Sequence, residues 1–409
     1  MRPLPVTSAH RSVASCLDGE RAVERAFTVG FRHRVRFVEG AFETANRELA
    51  ALMGDAQRKP RVVAFVDQNV ADAWPRLTRQ LVEYGQAHCE RFTLVEPVHL
   101  VAAGEACKND TRCLEEVCRA IHDARIDRQS YVLAVGGGAV LDVVGFAAAI
   151  VHRGVRLVRM PTTTLAQADS GVGVKNGINA FGKKNYLGTF APPWAVINDA
   201  QLLTTLPDGE WRDGFAEAVK VALIKDAALF GQIEADAARI KARDLAAALP
   251  VIRRSALLHV DHITQGGDPF ELTAARPLDF GHWAAHRLEE MTSFTLRHGE
   301  AVAIGMMLDC TYATRMGLAS ATLPGRVAAV LGELGLPTWH DALRDSDRLL
   351  EGIEAFREHL GGQLTVTLAC EMGRSVDVHA IDDGAMVRAV EELAQTQQRL
   401  SRKRLPDHD

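Results

Sequence analysis

Gly136-Gly137-Gly138 is the densest local signal for chemistry in this sequence of 409 residues. The three glycines follow the apolar run Tyr131-Val-Leu-Ala-Val135 and open an apolar stretch that reaches about Val151. Glycines between a strand and a helix let backbone N–H groups approach a pyrophosphate, and the helix N-terminus adds partial positive charge there. A tight turn without a ligand is the competing reading, because a glycine-rich turn alone is a weak signature. Asp142 lies one helical turn further on, where its carboxylate suits a ribose or amide hydrogen bond, or simply the helix dipole. A second cluster is Gly281-His-Trp-Ala-Ala-His286, whose two imidazoles share one helical face. They could ligate a metal together, or sit hydrogen-bonded against a core.

Both clusters need elements to hold them. Arg61-Val-Val-Ala-Phe-Val-Asp67 is a short apolar run ending at an acid, as buried parallel strands do, and Arg34 to Glu39 offers an earlier strand. Helical spacing over Ala71 to Tyr84, a strand at Phe92 to Val95 and a helix over Thr111 to Ala124 precede the Tyr131 strand. This alternation predicts an α/β, Rossmann-like parallel sheet with its binding crevice at the carboxyl ends of the strands. After Leu206-Pro207 helical patterns dominate: Phe215, Ala218, Val219, Ala222 and Leu223 recur at three- and four-residue spacing. The expected layout is a loose extension over 1–30, a nucleotide-binding α/β domain over 31–207, a mainly α-helical domain over 208–394 and a polar, frayed tail over 395–409. One late strand is expected within Leu364 to Ala369.

Composition excludes several classes. Apolar residues make up 47%, as in folded globular chains, and a net charge of -5 from 47 basic and 52 acidic residues leaves no basic stripe, so nucleic acid is not an expected partner. Seven cysteines without a C-x-x-C pair point to free thiols and a cytoplasmic compartment. The first residues lack an apolar signal core, and the most hydrophobic stretch, Tyr131 to Val151, is broken by glycines and Asp142. Neither a signal peptide nor a membrane span is expected.

At wider range a family pattern emerges. The blocks Gly136-Gly-Gly-Ala-Val-Leu-Asp142, Arg153-Gly154, Pro161-Thr-Thr-Thr164, Asp169-Ser-Gly-Val-Gly-Val-Lys175, Gly177-Ile-Asn179, Lys184-Asn185 and Phe215-Ala-Glu217-Ala-Val-Lys220 keep a characteristic order and spacing. That pattern resembles 3-dehydroquinate synthase and its sugar phosphate cyclase relatives, over roughly residues 34–392. The resemblance implies NAD, contacted by Asp67, Asn69, Glu105, Lys108, Gly137, Gly138, Asp142, Thr162, Thr163, Lys184 and Thr205. It also implies a divalent metal, zinc or cobalt, on Glu217, His282 and His298, a donor set that leaves a position open for substrate. His286 then matches a non-ligand histidine that assists proton movement. Lys175, Lys220 and Asn185 match substrate or cofactor contacts, Asp169 a carboxylate that binds sugar hydroxyls, and Arg153 an arginine reaching phosphate across a homodimer interface. In the implied chemistry NAD takes a hydride from a ring hydroxyl, phosphate leaves, the hydride returns, and the opened enolate closes to a carbocycle. Net redox change is nil.

Near His282 the pattern departs from its relatives. In 3-dehydroquinate synthase a lysine and an arginine engage the substrate carboxylate, and an asparagine stands three residues before the histidine. Here the lysine position falls within His259-Val-Asp-His262, Arg276 is displaced by one residue, Asp279 replaces the asparagine, and the late lysine segment reads Phe356-Arg-Glu-His359. An acid beside a substrate carboxylate repels it, which disfavours 3-deoxy-arabino-heptulosonate 7-phosphate. Sedoheptulose 7-phosphate, with a neutral polyol end, suits Asp279 better and would give a valiolone-type cyclitol such as 2-epi-valiolone. Retained Arg276 and His286 keep the quinate-type reaction open. Gly266-Gly-Asp-Pro-Phe-Glu271 reads as a loop over the site and resembles an EboD-like cyclase subgroup. A metal-dependent polyol or glycerol dehydrogenase shares the two-domain plan, but the lysine blocks and Glu217 with Lys220 belong to the cyclases. A non-catalytic relative is the third class.

Overall fold

Apolar runs rich in β-branched residues form a sheet of six parallel strands, since buried backbone groups must find partners within the protein. In the computed structural model, which describes residues 24–26, 29–54, 58–270, 277–359 and 362–404, these are β1 (Val35–Val38), β2 (Arg61–Asp67), β3 (Thr93–Val101), β4 (Tyr131–Gly136), β5 (Arg156–Pro161) and β8 (Ala195–Asp199). An antiparallel hairpin of β6 (Lys175–Ala180) and β7 (Lys183–Phe190) intervenes. The spatial order is β1-β8-β5-β4-β2-β3. Thus β2 leads to β3 on one side while β4 leads to β5 on the other, and the winding reverses between β2 and β4. Ligands of open α/β sheets bind at such a reversal, at the carboxyl ends, which here carry Asp67 and Gly136.

Apolar clusters cover both sheet faces, one around Val132, Val144 and Ile121 and one around Val62, Leu81 and Tyr84. From Asp208 onward helices dominate and share a third core that includes Phe215, Trp283 and Met306. The expected fold class holds: a parallel α/β half and a mainly helical half. Residues 1–32 form a separate unit, in which the described residues 24–26 and 29–32 carry no regular secondary structure; the rest of the expected extension lies outside the described residues.

Several expected elements differ in extent. The single helix over Ala71 to Tyr84 is two, Gln68–Ala73 and Leu77–Ala87, because Pro75 between them cannot donate to a continuous helical ladder. The strand expected at Phe92 to Val95 continues to Val101. The expected frayed tail is helical through Arg404: the Asp383–Arg404 helix docks Met386, Ala389, Val390 and Leu393 on the core at helical spacing, and its polar continuation consists of good helix formers. The late strand is β9 (Val366–Glu371), paired with β10 (Arg374–Val378), which sequence reading did not identify.

Three glycines set how closely helices of the second half approach their neighbours, the Thr164–Ala168 helix included. A Cβ on Gly214 would lie 2.2 Å from the Leu165 nitrogen, one on Gly299 would lie 2.5 Å from the Asp213 oxygen, and one on Gly305 would lie 2.1 Å from the Gly281 oxygen. Gly305 therefore lets the turn that starts the His282–Met291 helix touch the His298–Arg315 helix. Gly305→Ala is expected to cost about 1–3 kcal/mol through overpacking. It should also part His282 from His298, so a thermal melt and a zinc titration should both register the loss.

Candidate active site

The glycine turn is built as its residues demand. Gly136 ends β4 with no room for a side chain, since a Cβ would lie 3.0 Å from both the Asp67 and Val140 Cβ atoms. Gly137 caps the Gly138–Ile150 helix without any side-chain hydrogen bond, leaving that helix's first N–H groups open to an anion. Asp67 is 6% exposed at the end of β2 and accepts from the Asn69 backbone N–H at 2.9 Å. Burial raises its carboxyl, partly offset by the N–H groups of Asn69, Gly137 and Val70. On the other side of the turn Thr163 caps the Thr164–Ala168 helix, and Thr162 is buried with its hydroxyl unpaired. Thr205 is half-buried in the turn before the Asp208–Lys225 helix. The open helix end, the close-packed glycines and an acid at the reversal suit a dinucleotide.

Lys108 ties three segments to this turn. It is 3% exposed, and its ammonium donates to Asp142 Oδ2 at 2.7 Å, to Asn185 Oδ1, and faces Glu105 Oε1 at 3.8 Å. Burial lowers the Lys108 proton affinity, but Asp142 and Glu105 outweigh it, so it stays charged. Glu105 in turn accepts from Asn179 Nδ2 at 3.0 Å, and Asn179 Oδ1 accepts from the Asn185 backbone at 2.7 Å. Phe181 and Gly182 turn the hairpin at positive φ, and a register shift between Ile178 and Ala180 re-aims the strand. The hairpin thereby brings Lys184 and Asn185 toward different partners. Within this network Lys108 is buried, while Glu105 and Asn185 stand toward its exposed edge.

Glu217, His282 and His298 converge. Glu217 is 1% exposed on the 18-residue Asp208–Lys225 helix, flanked by Ala216 and Ala218 in the core. Its Oε2 is ion-paired with Lys220 Nζ, and its Oε1 faces His282 Nε2 at 3.5 Å and His298 Nε2 at 3.4 Å. One donor atom from each of the three lies within 4.8 Å of the others. Neither buried Glu217 oxygen has a hydrogen-bond partner of proper geometry. A carboxylate and two imidazoles so arranged fit a divalent cation with an open position. Burial raises Glu217, but Lys220 and the two histidines hold its carboxyl well below the ordinary range. Lys220, 2% exposed, is lowered by burial and lifted further by Glu217, Asp169 and Asp279.

His282 is held from behind, its Nδ1 3.1 Å from the Phe280 carbonyl. The buried Asp309 accepts from Gly281 N at 3.0 Å and Trp283 Nε1 at 2.9 Å, fixing the start of that helix. The i,i+4 pair of the sequence differs in exposure: His282 is buried and His286 exposed, with its ring centroid 5.5 Å from that of His282 and 6.0 Å from that of His298. A residue that sequence reading missed is Glu289, three after His286 and therefore one turn along the same face. Its Oε1 lies 3.4 Å from His298 Nδ1 and 3.2 Å from Lys184 Nζ. Burial raises Glu289, yet His298 and Lys184 bring it down to about 2.

Asp169 ends the Thr164–Ala168 helix and pairs with His259 Nδ1. Burial raises its carboxyl, but Lys220 and His259 hold it at about 2. Lys175 is exposed at the start of β6, and Asp279 is half-buried in a short turn before His282. Arg153 lies exposed in the turn after the Gly138–Ile150 helix, among residues of positive φ. Arg276 and Glu271 of the expected loop lie outside the described residues, as does the His359 side chain.

Family comparison agrees with this geometry. The model of the 3-dehydroquinate synthase N-terminal family matches residues 98–213, and that of the 3-dehydroquinate synthase C-terminal family matches residues 214–355. A 2-epi-5-epi-valiolone synthase of Streptomyces glaucescens is 34% identical over 87% of this chain and 88% of its own length. A 3-dehydroquinate synthase of Paracoccus denitrificans (strain Pd 1222) is 36% identical over 88% of this chain and 95% of its own. The structure of ValA, the 2-epi-5-epi-valiolone synthase from Streptomyces hygroscopicus subsp. jinggangensis 5008 with NAD+ and Zn2+ bound, superposes with a TM-score of 0.81 at 30% identity, covering 92% of this chain and 99% of ValA. With matches spanning both halves and a convergent Glu217, His282 and His298, the chain belongs to the 3-dehydroquinate synthase family of sugar phosphate cyclases.

Proposed function

We propose that this chain is a NAD- and metal-dependent carbon–oxygen lyase that cyclises sedoheptulose 7-phosphate to a valiolone-type cyclitol such as 2-epi-valiolone, with loss of phosphate. When bound, NAD would supply a transient hydride acceptor, and zinc or cobalt held by Glu217, His282 and His298 would supply a Lewis acid for the oxygen that alternates between alcohol and ketone. Asp67, Gly137, Gly138 and the Lys108 network hold the nucleotide at the reversal of the sheet. Thr162, Thr163, Thr205 and Asn69 line the same end. Glu217, His282 and His298 hold the metal. Lys175, Lys184, Lys220 and Asn185 offer cationic and amide donors to phosphate and sugar oxygens, and Asp169 accepts from sugar hydroxyls. His286, exposed beside two metal histidines, moves protons. A homodimer, with Arg153 reaching a partner's phosphate, and a cytoplasmic location belong to the same reading.

One observation carries the choice of substrate. Asp279 stands just before His282, and its charge acts on buried Lys220. A carboxylated sugar end would meet that acid, whereas a polyol end can donate to it. The second reading, 3-dehydroquinate formation from 3-deoxy-arabino-heptulosonate 7-phosphate, draws support from the Paracoccus relative at 36% identity. Purified protein with NAD and zinc is expected to release phosphate from sedoheptulose 7-phosphate without accumulating NADH. Release from the carboxylated sugar alone would overturn the proposal, and stoichiometric NADH from a polyol would point to a dehydrogenase.

A further inference from the structure

We propose that Glu289 is a positioning residue that holds His298 and Lys184 in one geometry, tying the metal trio to the hairpin that carries Asn185. The inference rests on the metal reading of Glu217, His282 and His298, and it concerns a side chain outside that trio. Glu289 is 5% exposed, and one of its oxygens faces two partners: His298 Nδ1 at 3.4 Å, an ion-pair approach in which the ring nitrogen makes no hydrogen bond of proper geometry, and Lys184 Nζ at 3.2 Å. His298 Nε2 meanwhile faces Glu217 Oε1 at 3.4 Å. An imidazole held by a carboxylate at one ring nitrogen presents the other nitrogen, in a fixed ring orientation, to an ion. Lys184 is contributed by β7, a strand remote in sequence from the His282–Met291 helix, and its neighbour Asn185 accepts from Lys108. Glu289 thus joins the His282–Met291 helix to β7 through one side-chain ion pair, and β7 carries the link on to Asn185 and Lys108.

A rival assignment of the same residues is a second ion held by His286, Glu289 and His298, whose donor atoms also lie within 4.8 Å of one another. The Lys184 ammonium already faces Glu289 Oε1, so a cation there would meet a like charge. His298 would also have to bind both ions, one through each ring nitrogen. The supporting role needs neither.

The test uses full-length protein stripped of metal and titrated with cobalt(II), read by its visible absorption bands. Glu289→Gln keeps the volume and removes the charge. It is expected to weaken cobalt binding on the order of 10–100-fold, the usual cost of losing an outer-shell partner, and to shift the bands while stoichiometry stays at one. Lys184→Met leaves Glu289 in place without its second anchor and is expected to weaken cobalt binding less than Glu289→Gln does. Unchanged affinity and bands in Glu289→Gln would overturn the inference while leaving the trio intact. Two cobalt ions per wild-type chain would overturn it in favour of the second site, and no cobalt binding by the wild type would overturn the metal reading itself.

Discussion

Glu217→Ala is expected to abolish stoichiometric metal binding and to lower phosphate release by about a thousandfold or more, with little change in secondary structure. Metal polarisation of a reacting oxygen is worth several kcal/mol, and each ~1.4 kcal/mol is tenfold in rate. The loss should be concentrated in the chemical step. The substitution itself is small for the fold: Glu217 sits mid-helix between Ala216 and Ala218, and alanine is the best helix former. What it does disturb is charge, because Lys220 is 2% exposed and loses its partner. Breaking one side of a buried pair costs about 3–5 kcal/mol, although Asp169 still acts on Lys220. Glu217→Gln removes the same charge while preserving volume, so comparing it with Glu217→Ala isolates the effect of the lost charge from that of the lost side-chain bulk. Elemental analysis, a phosphate assay and far-ultraviolet circular dichroism measure the outcome; turnover within tenfold of wild type would remove Glu217 from the metal site.

How legible this site was depended on how local its parts are. The strand, glycine turn and helix from Tyr131 to Ile150 could be read directly, because each residue's conformational preference agrees with its neighbours'. The trio could not, since Glu217, His282 and His298 stand on three helices and only a family resemblance joined them. Spacing alone left His282 with His286 open as a ligand pair, and in the fold one imidazole is buried and the other exposed. Glu289 was within reach of the same periodicity, one turn beyond His286, yet a glutamate on a helix reads as a solvated surface charge until tertiary packing buries it. The hairpin of β6 and β7 was hidden for a different reason: its sequence is polar and glycine-rich, with Ile178 alone of its side chains in a core cluster, and polar contacts through Asn179 and Asn185 to Glu105 and Lys108 add to that hold.

Arg159 is the plainest case of a residue that only the structure could reveal, and its removal is expected to have the second largest effect. In the run Arg156-Leu-Val-Arg-Met-Pro161 it looks like an ordinary polar position, but it is fully buried in β5. Burial lowers its proton affinity and Asp142 acts against that. Its guanidinium donates to the carbonyls of Ser170, Gly171, Gly173 and Lys175, the last at 2.7 Å, and to Asn176 Oδ1 at 2.6 Å. The forked donors of arginine suit this divided set of acceptors, and a lysine ammonium could not reach them all. Those carbonyls belong to the loop between Asp169 and Lys175, which His33 also grips through the Val172 carbonyl at 2.7 Å. Arg159→Leu would leave several buried acceptors unpaired, each worth about 1–3 kcal/mol. The expected result is a melting temperature lower by several degrees and a loss of kcat/KM of tenfold or more, as Asp169 and Lys175 lose their fixed separation. Metal content should stay near one per chain, because the hydrogen bonds of Arg159 all go to residues 170–176 and none to the helices that carry Glu217, His282 and His298. That combination distinguishes a loop-positioning role from general unfolding, in which metal and activity would be lost together; an unshifted melt with full activity would show that the buried guanidinium supports nothing.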